Sequence, residues 1–195
     1  DLPTEKKESL QIAATLPRAD QRDLLLVKKS SLVRVLKNKS IRLFSSSPRR
    51  FYNVEPFLKS CFPLGLNEVH FENVRGNIPT RLNKLLAADH IDGLILAKAA
   101  LDRLISTTVP ELQNTKRHIE TLLSQMNWMV LPLSENPNAA AQGAVAIETN
   151  SKNSDVMHVL QKINDPETFH CAEKERLVLS SYGGGCHQKI GIAYL

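Results

Sequence analysis

The stretch that decides the fold is EVHFENVRGNIPTRLNKLLAADHIDGLILAKAALDRL, which runs from Glu68 to Leu104. Polar and apolar residues alternate from Glu68 to Val74, as expected of a half-buried strand. Asn77 then stands at the N-cap position of an amphipathic run that predicts a helix. The sequence IDGLILAKAALDRL predicts a continuous apolar strand, buried on both faces in the parallel-sheet manner, followed by a short helix. This order of strands and helices predicts an open α/β sheet.

The flanking segments predict further strands and helices. Apolar runs at residues 10–14 and 23–27 predict two strands, and SSLVRVLKNK predicts a short helix capped by Ser30 or Ser31. Residues 110–127 and the sequence NSDVMHVLQKIN predict amphipathic helices. Between these helices, WMVLPLSENPNAAAQGAVAIE predicts two strands joined by a crossing rich in Pro, Asn and Ala, which we interpret as a hinge between domains.

The sequence SSSPRR, residues 45–50, predicts an anion site. It follows an apolar strand pattern, with Ser47 as a good N-cap and Pro48 as a good first helical residue. Arg49 and Arg50 come next, where their charge has the wrong sign for the helix dipole. We therefore interpret this helix start, with its free N–H groups, hydroxyls and guanidiniums, as a pocket for an anion and not as a stabilising feature.

Three more arginines follow predicted strands in the same way. Arg75 lies at the end of the first strand, Arg81 in the first turns of the next helix, and Arg103 in the helix after GLILA. Because ligands bind open α/β sheets at the carboxyl ends of the strands, these side chains are predicted to share one cleft with Arg49 and Arg50. Each arginine taken alone is equally well explained as a solvated surface residue.

The sequence SSYGGGCHQKIGI, Ser180–Ile192, places three glycines directly before a cysteine. Residues 166–181 predict a helix with Asp165 as N-cap, and one glycine after Tyr182 suffices as its C-cap. The surplus glycines indicate that the backbone passes close to something bulky, next to Cys186. A lone buried cysteine that merely fills space is the ordinary alternative.

The composition restricts the class of protein. The chain has 195 residues, of which 42% are hydrophobic and 23% charged, as in an ordinary globular protein without a membrane span or signal peptide. Its three cysteines are far apart and not in CxxC spacing, which predicts neither disulfides nor a metal site and favours a reducing cytoplasm. A net charge of +5 leaves nucleic-acid binding open, but aromatic residues make up only 5% and the basic residues form no single block.

Six motifs, in this order, resemble the hydroxymethylbilane synthase family, also called porphobilinogen deaminase: DLPTE, SSSPRR, VRGNIPTRLNKL, DGLILAKAALDRL, AAQGAVAIE and GGGCHQKIGIAY. The resemblance covers essentially the whole chain and departs from the family pattern at SENPN and in residues 110–127. Since the closing sequence IGIAYL predicts a strand without a partner, we interpret the chain as a fragment of a longer protein.

The resemblance implies an α/β fold in three parts. Residues 18–142 are expected to form a periplasmic-binding-protein-like domain with a mixed, mostly parallel sheet. Residues 1–17 and 143–162 are expected to belong to a first α/β domain, and residues 163–195 to begin a small α+β domain that carries the cofactor.

The resemblance also implies an activity. The family is a transferase that adds four porphobilinogen units to a dipyrromethane primer, with loss of ammonia, and releases hydroxymethylbilane for haem biosynthesis. Cys186 matches the cysteine that carries the primer through a thioether, and Asp1 matches the catalytic carboxylate that stabilises positive charge on a pyrrole nitrogen. The residues expected to bind the carboxylates of the pyrroles are Ser46, Ser47, Arg49, Arg50, Arg75, Arg81, Arg103 and Gln142.

A second interpretation is an inactive homologue or fragment that binds a polycarboxylate without converting it. Asp1 and Cys186 favour the enzyme, because a simple binding module has no use for either residue. The expected enzyme is a cytoplasmic monomer whose substrate is porphobilinogen, with no metal, no membrane association and no nucleic-acid partner. Nucleic-acid binding would instead show a steep loss of affinity with salt.

Overall fold

The computed structural model describes residues 8–62, 65–185 and 188–194, so Asp1 and Cys186 lie outside the described residues. The described strands are β1 (Leu10–Thr15), β2 (Asp23–Lys28), β3 (Ser40–Phe44), β4 (Glu68–Glu72), β5 (Gly93–Ala97), β6 (Met126–Val130) and β7 (Ala146–Asn150). The described α-helices are α1 (Leu32–Asn38), α2 (Pro48–Cys61), α3 (Ile78–Ala87), α4 (Lys98–Ile105), α5 (Gln113–Leu123), α6 (Ser154–Gln161) and α7 (Pro166–Ser181). Short 3-10 turns at Lys29–Ser31 and Pro110–Leu112 precede α1 and α5.

Five of the strands form a mixed sheet in the order β4-β3-β5-β2-β6. Strand β3 is parallel to β4 and β5, whereas β2 is antiparallel to both β5 and β6. The predicted mixed, mostly parallel sheet is confirmed, because β3, β4, β5 and β6 run in the same direction and β2 alone of these five strands is reversed. This reversal pairs Asp23, the first residue of β2, with Ala97, the last residue of β5. It therefore brings a carboxylate to the carboxyl edge of the parallel strands.

Helices cover both faces of this sheet. Leu94 and Leu96 of β5 pack into one cluster with residues of α3, α4 and α5, and Ile95 packs into the other with residues of α1 and α2. All three side chains are buried. The predicted burial of β5 on both faces is therefore confirmed, and it follows from the alternation of side chains along a strand.

Some boundaries of helices follow from short-range features of the sequence, and others do not. Asn77 caps α3 by accepting a hydrogen bond from the backbone N–H of Thr80 at 3.0 Å, as predicted. The helix predicted over residues 110–127 is wrong at its end, because α5 stops at Leu123 and β6 begins at Met126. Residues 126 and 127 belong to β6, an edge strand that pairs with β2, so tertiary pairing overrides the helical pattern.

A second sheet consists of β1 and β7, which pair antiparallel. Helices α6 and α7 pack on β1. Helix α7 begins as predicted, with the side chain of Asp165 accepting from the N–H of Thr168 at 2.7 Å. The strand predicted for the closing residues is wrong over residues 188–194. Their N–H groups at Ile192 and Tyr194 donate to a loop carbonyl and to a side chain, not to a neighbouring strand.

In the described part of the chain, no helix combines the length and the apolar character needed to cross a membrane.

Candidate anion-binding site

The carboxylate of Asp23 lies at the centre of a buried polar cluster at the carboxyl edge of the five-stranded sheet. Its side chain is fully buried. Arg49 donates to it from Nη2 at 2.7 Å, and Arg50 donates from Nη2 at 2.6 Å and from Nε at 3.0 Å. The side-chain amides of Asn136 and Gln142 donate at 2.9 and 3.0 Å. The carboxylate is therefore held by two guanidiniums and two amides.

These donors keep Asp23 ionised. Burial by itself would raise the pKa of this carboxyl, but the charge and hydrogen bonds of Arg50, the charge of Arg49 and the hydrogen bond from Asn136 outweigh it. The pKa of Asp23 is consequently held far below its usual range. One negative charge opposite two positive charges leaves the cluster with one positive charge in excess.

Several hydrogen bonds fix the orientation of the Arg49 side chain, and one of its buried donors has no partner among the described residues. The residue is 3% exposed, and its Nη1 donates to the side-chain oxygen of Asn136 at 3.1 Å and to the carbonyl of Pro137 at 2.5 Å. Its Nε is buried without a hydrogen-bond partner among the described residues. Burial lowers the pKa of Arg49, while Asp23 raises it, and the guanidinium stays charged at neutral pH.

The anion that Arg49 and Arg50 bind within the described residues is thus the chain's own Asp23. Both arginines thus neutralise a buried carboxylate, a stabilising role that the sequence did not predict, and their binding of a ligand stays a prediction. Gln142, expected to donate to a ligand, donates within the chain to Asp23 and, at 2.7 Å, to the carbonyl of Gln21, and its contact with a ligand stays a prediction.

The two serines of the predicted site differ in their bonding. The hydroxyl of Ser46 donates to the carbonyl of Val74 at 2.8 Å and accepts from its N–H at 2.9 Å, which ties the end of β3 to the segment after β4. Ser47 occupies the N-cap position of α2 as predicted, but its hydroxyl makes no capping hydrogen bond. Binding of a ligand by the hydroxyl of Ser47 stays a prediction.

Arg81 lies near Arg50 and Arg75 lies further out. The Nε of Arg81 donates to the carbonyl of Gly76 at 2.7 Å. Burial, followed by the charge of Arg50, lowers the pKa of Arg81, as expected for two guanidiniums facing the same space. Arg75 is exposed after the end of β4, and no hydrogen bond of its side chain is found within the described residues.

Arg103 approaches the cluster from α4. Its Nη2 donates to the carbonyl of Gly143 at 2.9 Å. Gly143 follows Gln142, whose amide reaches Asp23. The structure therefore brings Arg49, Arg50 and Gln142 onto one carboxylate and places Arg81 and Arg103 beside them.

A second buried carboxylate, that of Glu175 in α7, organises the neighbouring loops. Arg18 binds it with two parallel hydrogen bonds of 2.9 and 2.8 Å. The backbone N–H groups of Ala141 and Tyr194 donate to it at 2.7 and 2.9 Å, and the amide of Asn138 lies 3.4 Å away. Glu175 therefore ties α7 to three separate stretches of the chain.

The loop after α7 has the predicted backbone. Gly183, Gly184 and Gly185 have φ angles of 88°, 65° and 90°, a conformation that residues with a side chain resist. The prediction for these glycines is confirmed. The predicted exposure of Cys186 falls outside the described residues.

Sequence reasoning missed Asp23, Asn136, Asn138 and Glu175. A charged residue opening the apolar run DLLLV was a usable signal for Asp23, since β-strand interiors rarely take a carboxylate. The departure SENPN contained both asparagines but gave no indication of their partners. In the described residues, no group of three or more His, Cys, Asp or Glu side chains is placed to hold a metal ion.

Comparison with known proteins relates the chain to one family. Residues 1–158 match the family model described as "Porphobilinogen deaminase, dipyromethane cofactor binding domain". The chain is 34% identical over 192 residues to a porphobilinogen deaminase of Caldicellulosiruptor saccharolyticus, and this match covers 98% of the chain and 57% of that protein. A probable porphobilinogen deaminase of Picrophilus torridus shows the same identity and coverage.

A probable porphobilinogen deaminase of Saccharolobus islandicus is 32% identical over 194 residues, which are 100% of this chain and 56% of that protein. The chain therefore spans a little more than half the length of the curated relatives that it matches.

Proposed function

Because this chain belongs to the porphobilinogen deaminase family, we propose that it contributes to a hydroxymethylbilane synthase. This transferase adds four porphobilinogen units to a cysteine-linked dipyrromethane primer, with loss of ammonia, and releases hydroxymethylbilane. The observation that carries the proposal is the excess positive charge at the carboxyl edge of the five-stranded sheet. Every pyrrole ring of the substrate bears an acetate and a propionate, and guanidiniums are the side chains best suited to hold several carboxylates.

The residues at this edge fit a carboxylate-bearing dipyrromethane. The buried Nε of Arg49 has no partner among the described residues, and such an unpaired donor costs about 1–3 kcal/mol. A carboxylate oxygen from the ligand would supply the missing acceptor. When bound, the dipyrromethane supplies the primer to which the pyrrole units are joined.

The chain's own residues then have distinct tasks. Asp23 holds Arg49 and Arg50 in fixed orientations, so that binding of a ligand carboxylate would require no reordering of their side chains. Arg75, which is exposed and makes no side-chain hydrogen bond within the described residues, can bind a carboxylate without giving up a bond to them. The remaining proposed ligand-binding residues are Ser46, Ser47, Arg81, Arg103 and Gln142.

We assign primer attachment to Cys186 and the catalytic carboxylate to Asp1, on the strength of the family motifs. The left-handed run Gly183–Gly185 supports the first assignment, because it shapes the backbone directly before the cysteine.

The three-part division of the chain also belongs to the proposal. The pairing of β1 with β7 supports a unit built from residues 1–17 and 143–162, separate from residues 18–142, and α7 would open the third part at 163–195. A likeness of the five-stranded sheet to periplasmic binding proteins, a monomeric state and a cytoplasmic location stay predictions.

Intact-mass spectrometry of the full-length natural protein, purified from cells that make porphobilinogen, tests the function. We expect the mass to exceed that of the polypeptide by two pyrrole units. The Cys186→Ala variant should lose this increment, whereas Cys61→Ala and Cys171→Ala should keep it. A wild-type protein without the increment would favour a polycarboxylate-binding module, and an increment that survives Cys186→Ala would exclude this cysteine as the anchor.

A further inference from the structure

Residues 136–138 lie between the arginine cluster and the chain that follows Cys186. The side chain of Asn136 contacts the cluster on both of its polar atoms, donating to Asp23 at 2.9 Å and accepting from Arg49 at 3.1 Å. The carbonyl of Pro137 accepts a further hydrogen bond from Arg49 at 2.5 Å. This short segment therefore fixes the guanidinium of Arg49 through two of its residues.

The opposite side of the same segment contacts residues 188–194. The carbonyl of Asn138 accepts from the N–H of Ile192 at 2.8 Å. Gly191 lies so close that a Cβ atom there would overlap the carbonyl oxygen of Pro137. Backbone thus packs against backbone without room for a side chain, and a displacement of one segment must displace the other.

Asn138 also connects the segment to α7. Its side chain is fully buried, donates to the carbonyl of Ala139 at 2.9 Å and lies 3.4 Å from Glu175. Glu175 belongs to the helix that leads into Gly183–Gly185. The segment therefore contacts the chain on both sides of Cys186: α7 before it and residues 188–194 after it.

We propose that Asn136 and Asn138 are positioning residues, which set the location of residues 188–194 relative to Arg49 and Arg50. Through their backbone and side-chain contacts, a displacement of the arginine cluster displaces residues 188–194, and a displacement of residues 188–194 displaces the cluster. A consequence for primer attachment rests on the proposed function, whereas the mechanical coupling does not.

Hydrogen–deuterium exchange of the full-length protein tests the coupling, with Asn136→Ala as the main variant. Asn136 makes no direct hydrogen bond to residues 188–194, so an effect there is transmitted, either through residues 137 and 138 or through Asp23, Gln142 and Glu175. Loss of a hydrogen bond to a charged group has a large free-energy cost. We therefore expect amide exchange in residues 188–194 to accelerate by about tenfold or more. Exchange in α5 should stay unchanged, and so should all of these segments in the matched control Asn127→Ala, which alters an exposed asparagine of β6.

A folded Asn136→Ala protein whose exchange in 188–194 equals that of Asn127→Ala overturns the inference. Acceleration of α5 to the same extent also overturns it, because the effect would then be general destabilisation. If Asn136→Ala does not fold, Gly191→Ala replaces it: the added methyl group must displace Pro137, and exchange at the start of α2 should then rise. Unchanged exchange at residues 45–53 in that variant is equally decisive against the coupling.

Intact mass on the same samples separates this inference from the proposed function. If the coupling is transmitted and the wild type carries the two-pyrrole increment, Asn136→Ala should carry it on a smaller fraction of molecules. If the wild type carries no increment while exchange is still transmitted, the coupling stands and the proposed function fails.

Discussion

Arg50 binds Asp23 side-on, with its Nη2 2.6 Å from Oδ1 and its Nε 3.0 Å from Oδ2. Arg49 reaches the same Oδ2 from its own Nη2 at 2.7 Å. One buried carboxylate is therefore shared by two guanidiniums that would otherwise repel each other. Without Asp23 the two guanidiniums could not be buried side by side. The same ion pairs therefore stabilise the fold and fix the geometry of the candidate site.

Replacement of Asp23 by asparagine should destabilise the fold strongly. The amide keeps the size of the side chain but leaves two buried positive charges uncompensated, and breaking a buried ion pair typically costs about 3–5 kcal/mol. Urea unfolding at neutral pH measures the loss. Asp102→Asn is the matched control, because Asp102 is 36% exposed and pairs with Lys98 near the surface, where a pair is worth about 1 kcal/mol or less. Equal losses in both variants would contradict the central role of Asp23.

The contribution of Asp23 to stability should depend on pH with a defined sign. Its pKa in the folded state lies below the ordinary value of 3.8, so the stabilisation is complete above the ordinary value and is lost as pH falls through the folded value. The difference in unfolding free energy between wild type and Asp23→Asn should be constant above about pH 5 and should narrow below about pH 4. Urea titrations at a series of pH values check this, and a difference that widens on acidification would refute it.

Loss of the Arg18–Glu175 pair should loosen α7. Glu175 is fully buried and Arg18 is 12% exposed, so Glu175→Gln or Arg18→Leu alone leaves a buried group without its partner and should cost about 3–5 kcal/mol. The double variant Arg18→Leu/Glu175→Gln should cost less than the sum of the two single replacements. Thermal or urea unfolding of all four proteins completes the cycle. Additive losses would show that the two side chains do not act as a pair.

Arg75 should matter for the reaction and not for folding. Its side chain is exposed and has no recorded partner among the described residues, so Arg75→Leu should change the unfolding free energy by no more than about 0.5 kcal/mol. In the full-length protein the same variant should abolish primer assembly or elongation, as judged by intact mass. Arg42→Leu provides a control, because Arg42 is half exposed and pairs only at 3.6 Å with Glu72. A fully primed and active Arg75→Leu protein would remove Arg75 from the site.

Gly184→Ala should destabilise the turn after α7, because the backbone at this position has a positive φ. The φ of Gly184 is 65°, and forcing a residue with a Cβ into this region costs about 1–2 kcal/mol. Local exchange of the amides in residues 182–185 should increase accordingly. Ser180→Ala, at an exposed position in the last turn of α7, should leave that exchange unchanged. An unaffected loop in Gly184→Ala would mean that these glycines are not required for the turn.

Short-range patterns were sufficient to predict much of the fold. The cap at Asn77, the start of α7 after Asp165 and the left-handed glycines depend on bonds and torsions within a few residues of each other. The burial of β5 on both faces is visible in its uninterrupted apolar run. The direction of β2 was not predictable in this way, because strand pairing is set by residues far apart in the chain.

What the sequence by itself determined is the inventory: where strands and helices begin, which arginines follow the strands, and which glycines permit the turn before Cys186. Only the tertiary structure decided how those arginines are used. Asp23 meets Arg49 because an antiparallel strand inserts beside β5, and Asn136 meets both from more than eighty residues beyond Arg49. A buried charge must be paired, and the tertiary structure determines which side chains lie close enough to pair with it. The distance between residues along the sequence does not indicate those pairs.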